Sequence, residues 1–264
     1  MVSIKKYLVL TILLIYGMGH AQKELYQKEN FINGNDTLMY RIMFPKDFKE
    51  SRQYPLVLFL HGAGERGNDN QSQLVHGSSL FASEKNRDSF PAIVIFPQCP
   101  KDDYWANANV DRSSYPLTLT FPKDAAPTKA MDLVMKLLEE TIAKPYIKKD
   151  QIYLGGLSMG GMGTFELLSR KPNVFAAAFA ICGGGNPELA ENYATKLPMW
   201  IFHGAKDDVV TPEHSIQMVQ ALLSYGGKPN FNLYGDANHN SWDSTFAEPN
   251  LLPWLFSKSK ILEQ

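Results

Sequence analysis

Cysteine is nearly missing: Cys99 and Cys182 are the two in 264 residues. A disulfide-built scaffold needs a far higher density, and a chain of this length does not depend on staples. The two thiols read as buried residues at strand ends, cysteine being among the most often interior residue types; a bridge between them in an oxidising compartment stays open. Neither sign of charge is in excess, with 26 Lys and Arg against 27 Asp and Glu. No basic surplus is left to neutralise phosphates, which argues against a nucleic-acid partner. Long apolar runs are missing too. The stretch from Tyr7 to Tyr16 offers only about half of the roughly 20 residues that a membrane span requires. No internal repeat, low-complexity tract or linker composition divides the chain, so a second domain is not expected. No cluster of Cys, His and carboxylates stands at metal-ligand spacing, and neither a metal nor another cofactor is expected.

That short apolar run has a setting of its own. Lys5 and Lys6 precede it, Gly17-Met18-Gly19-His20-Ala21 follow it, and no acidic residue occurs before Glu24. Charge, short apolar core and small residues at the minus-three and minus-one positions make a secretory signal, with cleavage expected after Ala21. Processing removes both lysines and leaves 24 basic against 27 acidic residues, a net charge of about −3. No cysteine near the cut suggests a lipid anchor. The expected product, residues 22–264, is one secreted or periplasmic domain with no stable membrane insertion.

Strand signals and helix signals alternate along that product. Phe31 to Phe44 holds the turn Asn33-Gly34-Asn35-Asp36 between apolar stretches and reads as an antiparallel hairpin. Leu56 to Leu60, Ala92 to Phe96, Ile152 to Leu154, Phe175 to Ile181 and Trp200 to Phe202 are apolar almost throughout. Such runs read as strands covered on both faces of a mostly parallel sheet; Phe231 to Tyr234 is a weaker candidate. Lys129 to Ala143 sets Ala130, Val134, Leu137 and Leu138 on one helical stripe. Met162 to Arg170, Pro212 to Leu223 and Leu252 to Ile261 are the other expected helices. Alternation of this kind describes βαβ units with helices on both faces of the sheet. Lys101 to Pro127 has little periodicity and reads as a long loop.

The chemistry starts at Gly156-Leu157-Ser158-Met159-Gly160. Between a strand and a helix, this glycine-x-serine-x-glycine pentapeptide has the setting of a nucleophile elbow, where a strained turn thrusts the serine hydroxyl above the sheet. Glycine is needed on both sides because strand and helix approach too closely for a side chain. The same turn leaves the Met159 amide at the helix start, aimed where negative charge would develop.

A serine hydroxyl needs a base, and an imidazole titrates near working pH. Of six histidines, His20 leaves with the signal, His61 precedes the serine by far, and His76 and His214 fall in a loop and an expected surface helix. His203 opens a strand-end motif. His239 alone follows everything else, in the polar loop Gly235 to Asn240, which satisfies the order serine, acid, histidine. The acid should follow a strand beside the nucleophile strand. His203-Gly204-Ala205-Lys206-Asp207-Asp208-Val209-Val210 fits, and composition does not choose between Asp207 and Asp208, with Asp236 a distant third.

With these motifs in hand, the chain resembles the α/β-hydrolase superfamily, and within it the exported esterases related to the phospholipase/carboxylesterase and feruloyl or acetyl-xylan esterase groups. The resemblance rests on His61-Gly62-Ala63-Gly64-Glu65-Arg66-Gly67, Pro97-Gln98-Cys99-Pro100, Gly156 to Gly161, His203 to Val210 and His239-Asn240-Ser241-Trp242. It implies Asp207 as the acid, with His203 structural. It also implies a second oxyanion amide from Ala63, Gly62 being the alternative, with His61 shaping that loop.

The expected activity is cleavage of carboxylic esters, including acetyl or feruloyl esters of carbohydrates, through an acyl-enzyme on Ser158. A prolyl-oligopeptidase-like peptidase and a silent carbohydrate-binding hydrolase fold are the alternatives. Within the long loop, Tyr104, Trp105, Asn107 and Asn109 are candidates to line a cleft for a sugar or aryl group, with Trp105 the expected wall of the substrate pocket.

Overall fold

The computed structural model describes residues 23–261, so the expected signal peptide lies outside the described residues. Its centre is an eight-stranded sheet in the order β1-β2-β4-β3-β7-β8-β9-β10. The hairpin is β1 (Gln27–Asn33) against β2 (Asp36–Met43), antiparallel as the turn signal required. β2 also runs antiparallel to β4 (Ile93–Pro97), and from there the sheet is parallel. β3 (Tyr54–Leu60) lies between β4 and the long β7 (Ile147–Leu157). β8 (Ala177–Ile181), β9 (Met199–Gly204) and β10 (Asn230–Tyr234) complete it.

Period-2 alternation divides the strand side chains between two cores. Leu56, Leu58 and Leu60 face one side, whereas Val57 and Phe59 face the other. The first side is covered by α3 (Lys129–Ile142), α4 (Met159–Arg170) and α5 (Glu213–Ser224). The second receives the short α1 (Ser78–Ala82) and, near the C-terminus, α7 (Leu251–Phe256). A brief α2 (Glu84–Ser89) follows α1, and α6 (Trp242–Phe246) precedes α7. The expected mostly parallel sheet, antiparallel hairpin and two helical faces are therefore present. Among the described residues no helix is long and apolar enough to cross a membrane.

Three sequence expectations differ locally. The helix expected from Met162 starts at Met159, directly after the serine; its three early glycines are poor helix formers and hide the start. The last expected helix ends at Phe256 rather than Ile261. The supposed loop at 101–127 contains an antiparallel pair, β5 (Asn109–Asp111) and β6 (Thr118–Thr120), too short to leave a period in the sequence. Its base is tied to α3. The Asp103 carboxylate accepts the Ala130 amide at 2.7 Å, and the Thr128 hydroxyl both caps α3 through Met131 N and donates to Tyr104 O. Cys99 and Cys182, after β4 and β8, are buried and unbridged.

Candidate active site

Ser158 sits between β7 and α4 with φ +52° and ψ −117°, a backbone conformation costing on the order of 1–3 kcal/mol for a non-glycine residue. The close approach that enforces it is measurable at its neighbours. A Cβ on Gly160 would fall 1.9 Å from the Leu60 carbonyl oxygen, and one on Gly156 would fall 2.2 Å from the Gly160 oxygen. Neither position admits a side chain.

The loop after β10 brings His239 to this serine. Nε2 lies 2.9 Å from Ser158 Oγ, and Nδ1 lies 2.7 Å from Asp207 Oδ2. Asp207 is buried in the loop after β9; its Oδ1 accepts the amides of Val209 and Val210 at 3.0 and 2.9 Å. Burial alone would raise this carboxyl, but hydrogen bonds from His203 and His239 outweigh it and hold it well below the usual carboxylate range. Asp208 is exposed and its backbone amide, rather than its carboxylate, is tied into the site through Asn238. Lys206 draws Asp236 into an exposed ion pair. The choice that composition left open between adjacent aspartates is thus a difference of direction: Asp207 points inward, Asp208 outward.

On the other side of Ser158 runs the loop after β3. His61 is buried, its Nε2 accepts the Cys99 amide at 2.9 Å, and its Nδ1–H therefore donates to Gly62 O at 2.7 Å. Burial lowers this imidazole to about 4, so it is neutral at ordinary pH. Holding the Gly62 carbonyl fixes the Gly62–Ala63 peptide plane and with it the direction of the Ala63 amide. Glu65 closes the turn that follows, its amide donating to Gly62 O at 3.3 Å. Arg66 adds a hydrogen bond from Nε to Ala63 O at 3.1 Å. At the start of α4 the Met159 amide has no helical acceptor.

A cavity of about 210 Å³ opens at Ser158. Leu117, Met162, Val209 and Val210 give it an apolar wall, while Glu65, His76 and Trp242 line another side. Trp105 is not part of it. Its side chain is 0% exposed, its indole N–H donates to His61 O at 3.0 Å, and its ring meets His61 edge-on at 5.2 Å. A buried indole needs an acceptor for its N–H, and this one finds it behind the loop after β3. The preceding residue, Tyr104, lines the cavity instead, with Arg112 donating to its hydroxyl at 3.0 Å. Of the two adjacent rings expected at the cleft, only Tyr104 reaches it; the register that separates them leaves no mark in residue type.

Sequence spacing also gave no sign of the grouping of Cys182 with Asp207 and His239, whose donor atoms lie within 4.8 Å of one another. Burial pushes the Cys182 thiol up, and a protonated thiol is a poor metal ligand. The His239–Asp207 hydrogen bond already spends the other two groups.

The sequence profile of the phospholipase/carboxylesterase family matches residues 47–248. A bifunctional acetylxylan esterase/xylanase of Neocallimastix patriciarum is 30% identical over 169 residues, 64% of this chain and 21% of that protein. The mouse lysophospholipase-like protein 1 is 25% identical over 195 residues, 69% of this chain and 79% of that protein. The crystal structure of a thermostable esterase superposes with a TM-score of 0.81 at 33% identity, covering 91% of this chain and 64% of that one. The chain therefore spans about a fifth of the first relative and just under two thirds of the thermostable esterase. Fold, serine-centred site and profile together place the chain in the phospholipase/carboxylesterase family of α/β-hydrolases.

Proposed function

We propose that the chain is a serine esterase that cleaves small carboxylic esters, including acyl esters of carbohydrates, through an acyl-enzyme. The observation that carries this reading is the continuous hydrogen-bond chain from Ser158 Oγ through His239 to Asp207. Ser158 Oγ attacks the ester carbonyl while His239 Nε2 takes its proton. Asp207 keeps hydrogen on Nδ1 and stabilises the imidazolium that forms. The amides of Ala63 and Met159 hold the tetrahedral oxyanion. His239 then returns the proton to the leaving alkoxide, and water repeats the sequence on the acyl-enzyme to release the acid. His239 carries the proton in each transfer.

A cavity of about 210 Å³ is smaller than the roughly 300–1,000 Å³ typical of sites for larger ligands, which favours a short acyl group over a long lipid chain. The acetylxylan esterase relative supports a carbohydrate-linked alcohol. Export is proposed from the leader-like residues before the fold. The test is labelling by a fluorophosphonate probe, expected in the native protein and lost in Ser158→Ala. A panel of acetyl, feruloyl and phospholipid esters beside a prolyl peptide then ranks the substrates, with acetyl esters expected first. Labelling that survives Ser158→Ala, or turnover of the peptide alone, would reject the reading.

A further inference from the structure

The proton that leaves with the alcohol comes from His239 Nε2, so the leaving group must lie on the His239 side of the cavity. That side has a definite composition. The Trp242 ring stands edge-on to His239 at 5.4 Å, and the His76 ring lies on Trp242 at 5.0 Å. His76 Nε2 is 3.8 Å from Glu65 Oε1. All four side chains line the same cavity.

The separation of 3.8 Å is too long for a direct hydrogen bond and suits a bridging oxygen between the two groups. Glu65 is largely enclosed, its side chain 13% exposed, and its two carboxylate oxygens offer acceptor capacity beyond His76. A hydroxyl here could donate to Glu65 while bonding His76, and a ring carrying it would have the Trp242 indole beside it. The apolar residues of the cavity, Leu117, Met162, Val209 and Val210, offer no comparable side-chain group. Arg112, the cation at the cavity, is bonded to the Tyr104 hydroxyl, whereas the charge beside Trp242 is an acid. A carboxylate favours neutral hydroxyl donors over anionic groups.

We infer that Glu65, His76 and Trp242 form a subsite for the leaving alcohol, and that it selects a neutral, polyhydroxylated ring such as a sugar. This rests on the serine-esterase reading, which fixes the side from which the alcohol departs. The subsite specifies the alcohol and leaves the acyl group to the apolar wall.

The experiment compares mono-O-acetylated methyl xyloside with 4-nitrophenyl acetate, which share an acyl group and differ in hydroxyls on the alcohol. The xyloside is supplied also with each free hydroxyl replaced in turn by hydrogen. At least one deoxy analogue should lose about tenfold in kcat/KM on the native protein, as expected when a site built for a hydroxyl meets its absence. In His76→Phe, which keeps a ring against Trp242 and removes both nitrogens, the xyloside-to-aryl ratio should fall about tenfold and the deoxy penalty should vanish. Deoxy analogues all within twofold of the parent on native protein would overturn the subsite even if the variant did not fold. So would an unchanged ratio in a folded His76→Phe. Loss of the esterase reading itself registers separately, as aryl acetate turnover indifferent to Ser158→Ala.

Discussion

β3 runs directly into His61-Gly62 and β9 ends on the same dipeptide, His203-Gly204, and the fold uses the two in opposite ways. His61 receives the Cys99 amide on Nε2 and gives its one hydrogen to the Gly62 carbonyl, so it braces a peptide plane. His203 turns Nε2 toward two acceptors, Val210 O at 2.8 Å and Asp207 Oδ2 at 3.2 Å, so that nitrogen must carry hydrogen. Its Nδ1 lies 2.7 Å from the Ser215 hydroxyl. One histidine aims a backbone donor; the other stands behind a carboxylate. Residue type and strand position are shared, and the role is assigned by which groups the returning chain places around the ring.

The largest break in that comparison is expected at the carboxylate. Asp207→Asn should lower kcat by about 10⁴-fold through the wrong imidazole tautomer, with the fold retained, whereas Asp208→Asn should change it by less than about threefold because an exposed carboxylate outside the hydrogen-bond chain contributes little. Equal losses in the two variants would remove Asp207 from its assigned role. Next comes the brace behind His61. Trp105→Ala should cost about 3–5 kcal/mol of stability and affect aryl and sugar esters alike, read by denaturant melts beside kcat/KM on both substrates.

The pH dependence of stability sharpens the contrast further. Burial holds His61 at about 4 in the folded state, while the unfolded chain takes up this proton near pH 6.5. Between those values the unfolded state binds the extra proton, so stability falls on acidification by about 1.4 kcal/mol per pH unit, about 3 kcal/mol in all. Asp207, depressed in the fold, acts in a lower window: its contribution is complete above the unfolded carboxyl value near pH 3.9 and drains below it. Urea unfolding from pH 7 to 3 should therefore show two acid limbs, the upper one reduced in a folded His61→Gln protein to the share of His214, which burial lowers likewise. The smallest effect is assigned to His203→Gln, about tenfold in kcat with KM little changed, since one charge-assisted hydrogen bond to Asp207 is weakened. A KM effect without loss of kcat would mark His203 as a residue of the pocket.

Much of the fold was legible because apolar runs and glycine turns report the sheet directly. Leu56–Leu60 and Trp200–Phe202 are strands because continuous burial on both faces leaves no polar positions. The start of α4 was illegible: Gly160 and Gly161 oppose helix propensity, and the helix begins there because Leu60 and Ile181 backbone atoms press too closely for side chains. The β5–β6 pair is three residues per strand, below the length at which alternation can be read. Trp105 was assigned to the pocket on aromatic character, which does not distinguish a ring facing substrate from one packed behind it.

By itself the sequence determined the order serine, acid, histidine and the strand-turn-helix setting of Ser158, because chain order and glycine spacing are local properties. It also determined which strands are interior, through hydrophobicity that needs no partner to be read. Only the tertiary structure turned Asp207 rather than Asp208 toward His239, and Tyr104 rather than Trp105 toward the cavity. Each pair is adjacent in sequence, and one step along the backbone turns a group from one side of the chain to the other. Direction of that kind is set by contacts from remote segments: His239 from beyond β10, and the His61 carbonyl receiving an indole 44 positions away.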